Sequence, residues 1–231
     1  MTRVQGICID RTEVPRSQYA AFVSNPAGLD PSKLPTECRG TAAFAADATC
    51  DASATPGCGA ACGTYPQTCI TYCQAAAYCA WAGKTLCGDF QGNQVAVERG
   101  KLPPLLWTSV CGNGVRSDGQ PRRRYAYGDG FRPGLCADTT ASCPSDGGTC
   151  RTIPVASKTD CRLVEADVLD MSGNASEWLN AKESPDTANG VHYYAASSVA
   201  SMDDTGGLCG DFGGAPLTQF SEDLGFRCCA K

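Results

Sequence analysis

Asp170-Met171-Ser172-Gly173-Asn174-Ala175-Ser176-Glu177-Trp178 is the stretch whose reading decides the fold. An aspartate opens a tight turn, Gly173 supplies a backbone angle that a Cβ would oppose, and a large aromatic follows that must be buried. Taken alone, the run is an Asp-initiated turn leading into a core built round Trp178. Asn174-Ala175-Ser176 matches a glycosylation acceptor pattern, but a tight loop is a poor place for a bulky glycan. Working outward, Trp81 and Trp107 read as further core anchors, and Gly83 and Gly128 as further special-angle positions.

The 231-residue chain holds seventeen cysteines, spread from Cys8 to Cys229. So many thiols gain nothing in a reducing cytosol, so the expected compartment is oxidising: extracellular, periplasmic or cell-surface. The count is odd, which leaves at least one sulfur to lie buried, to join another chain in a disulfide-linked dimer, or to do chemistry. With 26 Gly, 14 Pro and 8% aromatics, the composition suits a loop-rich fold stapled covalently. A net charge of −5 argues against nucleic acid, whose backbone demands Lys and Arg. Arg122-Arg123-Arg124 is the only basic run and reads as a solvated strand edge. No stretch approaches the roughly 20 apolar residues that span a bilayer. The start, Met1-Thr2-Arg3-Val4-Gln5-Gly6, has no apolar h-region, so a mature secreted domain is expected, its export signal absent from this sequence.

Ile7 to Val14 predicts a short strand, after which Pro15 suits a helix N1 position, with Tyr19, Phe22 and Val23 on one apolar face. Residues 26–65 are rich in Pro, Gly, Ala and Thr and carry Cys38, Cys50, Cys58 and Cys62, which predicts a disulfide-pinned excursion. A second helix is predicted near Thr71 to Ala82, stopped by Gly83. Beyond Lys84 helical signals are scarce. Turns at Cys111-Gly112-Asn113-Gly114, Gly128-Asp129-Gly130 and Asp146-Gly147-Gly148 separate short strand-like runs.

Several segments, in order, carry a resemblance: Ile9-Asp10-Arg11-Thr12-Glu13-Val14 with Tyr19 to Val23; Ala76-Ala77-Tyr78-Cys79-Ala80-Trp81-Ala82-Gly83-Lys84; Tyr125-Ala126-Tyr127-Gly128-Asp129; Asp170 to Trp178; and Leu224-Gly225-Phe226-Arg227-Cys228. The ordered set resembles the formylglycine-generating enzyme, or sulfatase-modifying factor, family, and the additional cysteines resemble a cysteine-rich, secreted bacterial branch of it. The resemblance implies an α+β fold, an elaborated C-type-lectin-like domain over 1–231 with low regular secondary structure and many disulfides. It also implies pairing of Cys79 with Cys228 and of Cys111 with Cys209. Cys87–Cys229 and Cys8–Cys73 are further expected pairs, although sequence alone does not fix connectivity.

Family members that oxidise a sulfatase cysteine to formylglycine hold copper(I) with two thiolates, soft ligands for a soft ion. The matching positions, ten and five residues before Cys209, are Val199 and Asp204, and Tyr193 to Leu208 contains no cysteine. The expected function is therefore a non-catalytic ligand-binding or structural surface module. Its surface would lie near Ser197, Val199, Met202, Asp203, Asp204 and Phe212, facing a protein or glycan partner. The alternative is the copper-dependent oxidase itself. The family's calcium loop falls on Asp170, Gly173, Ala175 and Glu177, implying structural calcium: two carboxylates and two carbonyls are sensible ligands for a hard cation. The family's second calcium site would place Ala137 where a ligand is needed. His192, the single histidine, reads as a surface residue. Cys58, Cys62, Cys69 and Cys73 could form a four-thiolate zinc site, but disulfides are the better reading in an oxidising compartment.

Overall fold

The computed structural model describes residues 1–98, 105–143, 149–184 and 190–231; the turn expected at Asp146-Gly147-Gly148 lies outside them. Two sheets organise the chain. In the first, β1 (Thr2–Val4), β2 (Ile7–Ile9), β9 (Cys228–Ala230) and β3 (Thr85–Leu86) run in that order, all antiparallel. The second is built on β5 (Ser176–Glu183), the eight-residue strand that begins inside the opening motif. One edge of β5 takes β8 (Leu224–Phe226) and then β4 (Val95–Val97), both parallel. Its other edge takes β6 (Val191–Ala195), which pairs antiparallel with β7 (Phe212–Pro216). The chain crosses from β8 in one sheet to β9 in the other through a single residue, Arg227.

The predicted strand at Ile7 to Val14 ends at Ile9. The Asp10 side chain accepts from the Cys228 amide and from Lys84 Nζ, and this pulls the backbone off the sheet. Pro15 caps α1 (Arg16–Ser24) from one position earlier than expected. The helix α3 (Tyr72–Trp81) starts at a capping box in which Thr71 and Gln74 satisfy each other's backbone N–H. Tyr19, Phe22, Tyr78 and Phe226 pack ring against ring between α1, α3 and β8. Trp107, on α4 (Leu106–Cys111), and Trp178, on β5, are fully buried, while Trp81 is half-buried against Phe22 and Tyr78.

Sixteen of the seventeen cysteines form eight disulfides. Cys79–Cys228, Cys87–Cys229 and Cys111–Cys209 tie the middle of the chain to its carboxyl end. Cys38–Cys73 and Cys50–Cys69 pin the 26–65 excursion, which folds only into short turns of helix, among them α2 (Ala48–Ala54). The expected Cys8–Cys73 pair is corrected: Cys73 faces the excursion and bonds Cys38. Ile7 and Ile9 point into the core, so the strand alternation turns Cys8 the other way, half-buried and unpaired. Cys58 bonds Cys62, and with Cys69 and Cys73 paired elsewhere, the four sulfurs of the zinc alternative are spent.

His192 is also corrected. It is buried in β6 beside the Tyr72 ring, its Nε2 3.0 Å from Glu37 Oε1 and its Nδ1 2.7 Å from the Gly190 carbonyl. Burial alone would raise the Glu37 carboxyl, but hydrogen bonds from Gln94 and His192 outweigh it and hold Glu37 near about 2. The histidine latches the excursion to the second sheet.

Candidate functional site

The loop 170–176 is a structural hub. Asp170, Gly173 and Asn174 all have positive φ, which only glycine adopts without strain. At Gly173 space decides as well: a Cβ would stand 2.3 Å from the Ala137 carbonyl oxygen and 2.9 Å from Met202 Sδ. Asn174 earns its conformation through three bonds. Its N–H donates to Ala137, its Oδ1 accepts from the Ile153 amide, and its carbonyl accepts from the Val199 amide. Only 1% of Asn174 is exposed, so the glycosylation pattern is out of a transferase's reach.

Beneath the loop lies a buried charge cluster. Arg227, 1% exposed, donates from Nε and Nη2 to both oxygens of Glu177, at 2.7–2.9 Å. Its Nη2 also reaches the carbonyls of Leu169 and Asp170. Glu177 Oε2 accepts further from Trp107 Nε1 at 2.8 Å. Asp170 Oδ2 accepts from the Ala156 amide, and Glu13 Oε1 from the Ala175 amide. Burial, then the facing Asp170 carboxylate, pushes Glu13 well above the usual carboxylate range. Burial likewise raises Asp170.

These contacts test the expected calcium set of Asp170, Gly173, Ala175 and Glu177. The residues do not fit the ion as expected. Both Glu177 oxygens are taken by a guanidinium and an indole, so Arg227 supplies the positive charge that calcium would bring. At Ala137, the position matched to the family's second calcium site, the carbonyl accepts from Asn174. Among the described residues no three His, Cys, Asp or Glu side chains are grouped to hold a metal. A chelator is therefore expected to leave the melting temperature within about 1 °C of its value in calcium. A clear drop on chelation, abolished by Asp170→Ala, would restore the ion.

The expected binding surface is corrected in part. Ser197, Val199 and Met202 are fully buried. Val199 is drawn in by the Asn174 carbonyl, and Met202 joins Tyr125, Tyr127 and the Cys136–Cys161 bridge in a small core. Asp203, Asp204 and Phe212 remain at or near the surface. The Asp203 carboxylate accepts from Thr205 and Gly206, and these bonds hold it below its ordinary range. The two positions matched to the copper ligands thus diverge: Val199 points into the core, and Asp204 is exposed. Beside them a groove of about 560 Å³ runs along β6 and β7, lined by Tyr194, Ser198, Ser201, Gln219 and Asp223. Sequence reasoning missed Glu13 and Arg227 as members of the charge cluster. Both stand inside quoted motifs, but nothing in the motifs says that they meet Glu177.

This scaffold, with two small sheets, few helices and long pinned loops, is the one the ordered motifs imply. A family model described as the sulfatase-modifying factor enzyme 1-like domain matches residues 1–231. The chain belongs to that family. No curated protein matches it. Among solved structures, the crystal structure of CarF is 22% identical with a TM-score of 0.61, covering 97% of this chain and 85% of its own. PvdO from Pseudomonas aeruginosa is 16% identical with a TM-score of 0.56, covering 97% and 80%. Treponema denticola variable protein 1 is 15% identical with a TM-score of 0.52, covering 97% and 84%. At such identities the likeness is one of fold.

Proposed function

We propose that this chain is a non-catalytic member of its family, a disulfide-braced module of an oxidising compartment that displays a ligand-binding or structural surface. The observation that carries this reading is the inventory of sulfurs. Copper(I) chemistry of the family type needs two facing thiolates, and sixteen cysteines here are committed to disulfides. The remaining thiol, Cys8, sits on β2 beside the carboxyl-terminal strand, not in the 193–208 segment. The ligand face would be the groove along β6 and β7, continuing to Asp203, Asp204 and Phe212, and its occupant a polypeptide or glycan. No described helix is long and apolar enough to cross a membrane.

Thiol titration of the unreduced, denatured protein is expected to give one equivalent, lost in Cys8→Ser. Copper(I) should not bind stoichiometrically, and a Cys-x-Pro-x-Arg peptide should yield no aldehyde product. Two free thiols with appreciable turnover would establish the oxidase instead. Non-reducing electrophoresis tests the remaining role of Cys8: a dimer band abolished by Cys8→Ser would assign it to an intermolecular bridge.

A further inference from the structure

The arginine run lies outside everything above, and the structure makes more of it than a solvated edge. We infer that the hairpin over residues 112–124 forms a pocket for the sulfate or phosphate ester of a saccharide. The inference does not rest on the non-catalytic reading, since an oxidase would keep the same pocket.

Arg116, Arg122, Arg123 and Arg124 all line one cavity of about 540 Å³, together with Leu208 and Asp211. The frame that carries them is rigid. Val115 bridges Pro121, Arg116 N–H donates to Gln120, Arg122 to Gly114 and Arg123 to Gly112. The hairpin is stapled at its base by Cys111–Cys209, and the Cys209 amide donates to the Arg124 carbonyl. Gly112 lets the returning strand close: a Cβ there would lie 2.3 Å from Pro121 Cβ. The backbone that carries the four arginines is thus fixed, while the side chains of Arg116, Arg122 and Arg124 reach solvent.

Their charges are unequally used. Arg123 is forked onto Glu165 and is neutralised. Arg124 donates to a carbonyl, that of Asp204, and its guanidinium lies 5.7 Å from the Tyr125 ring centroid. Arg116 stands 3.7 Å from Asp118, with both side chains more than half exposed. The Arg122 side chain has no ion-pair or hydrogen-bond partner among the described residues; it runs along Gly114. Asp129 and Asp211 also line the cavity, but each accepts from a backbone amide, Arg124 and Leu208 respectively. Arg122 and Arg124 are thus the two guanidiniums of the cavity without a carboxylate partner among the described residues, and their fork-shaped donors match an oxyanion.

The lining also says what carries the oxyanion. Pro121 and Leu208 are the only apolar members, so an anchoring peptide side chain has no deep seat. The named hairpin amides are paired within the fold and are not offered to an extended peptide. Asp129, Asp211 and Gln120 are good acceptors for sugar hydroxyls. A single sugar ring fits the volume.

The test is titration of the intact, oxidised protein with glucose 6-sulfate, glucose 6-phosphate, glucose and hexaglutamate, followed by amide shifts in two-dimensional NMR. Saturable shifts confined to 112–124 and 208–211 are expected with an ester and not with glucose, and the tighter ester identifies the oxyanion. Arg122→Ala should weaken that binding at least tenfold with an unchanged melting curve, because the Arg122 side chain makes no polar contact in the fold and its backbone bond to Gly114 is kept. Raising salt to 0.5 M should weaken it similarly. The proposal fails if neither ester binds, if glucose binds equally, if hexaglutamate binds more tightly, or if Arg122→Ala binds as well as the native chain.

Discussion

Arg227→Met is expected to destabilise the protein by about 3–5 kcal/mol, the usual cost of removing one partner of a buried ion pair. The magnitude follows from what is left behind, not from what the pair contributes. Glu177 would keep one hydrogen bond, from Trp107, while buried at 0% exposure beside Asp170 and Glu13. The carbonyls of Leu169 and Asp170 would lose their donor, and so would that of Asp10, which Nη1 reaches at 3.3 Å. Lysine should rescue little, because an ammonium cannot reach the fork and the three carbonyls together. Adding Glu177→Gln to the methionine variant should recover part of the loss by discharging the orphaned carboxylate. The pH dependence carries a second signature. Glu13 binds its proton more tightly in the folded state, so stability falls as pH rises from its ordinary value through the raised one. Arg227 opposes that shift, so without it the fall should extend to higher pH. Urea unfolding from pH 4 to 9 would measure both effects, and a loss below about 1 kcal/mol would show that the pair does not organise the junction.

Much of this junction was legible in sequence and some was not, for physical reasons. The helix at Tyr72–Trp81 was readable because its determinants are local: a capping Thr71, a Gln74 three residues on, and Lys84 N–H returning to Cys79. The fold followed from ordered motifs that each mark a core anchor or a turn. Contacts between distant residues carry no such signal. Glu37 and His192 meet across 155 residues, so a lone histidine reads as surface until its partner is placed. Val199 and Met202 sit in a run of small residues without period, and what buries them is the docking of 197–202 onto the Asn174 loop. What the Asp170–Glu177 loop can hold also turns on a distant contact. Glu177 has the chemistry of a calcium ligand, and only the position of Arg227, fifty residues later, commits it elsewhere.

The second large effect concerns the two adjacent staples, Cys79–Cys228 and Cys87–Cys229. They close chains of 149 and 142 residues, nearly the same loop. On the loop-entropy model a bridge over such a span stabilises by about 5 kcal/mol when it is the only one. Here each makes the other largely redundant, because either alone already holds β9 to the stretch formed by α3 and the β3 segment after it. Replacing Cys79 and Cys228 with alanine should therefore cost about 1–2 kcal/mol, chiefly through lost packing in a fully buried site, and the Cys87/Cys229 variant about the same. Removing both should cost about 5 kcal/mol or more, well beyond the sum of the two, since only then is the carboxyl end freed in the unfolded chain. The Cys111–Cys209 bridge limits the excess, because it still closes 98 residues of the same span. Chemical denaturation of the three variants, with oxidation state checked by mass, would test the argument. Strict additivity would mean that these bridges act through local packing, and the entropic account of a covalently braced scaffold would have to be given up.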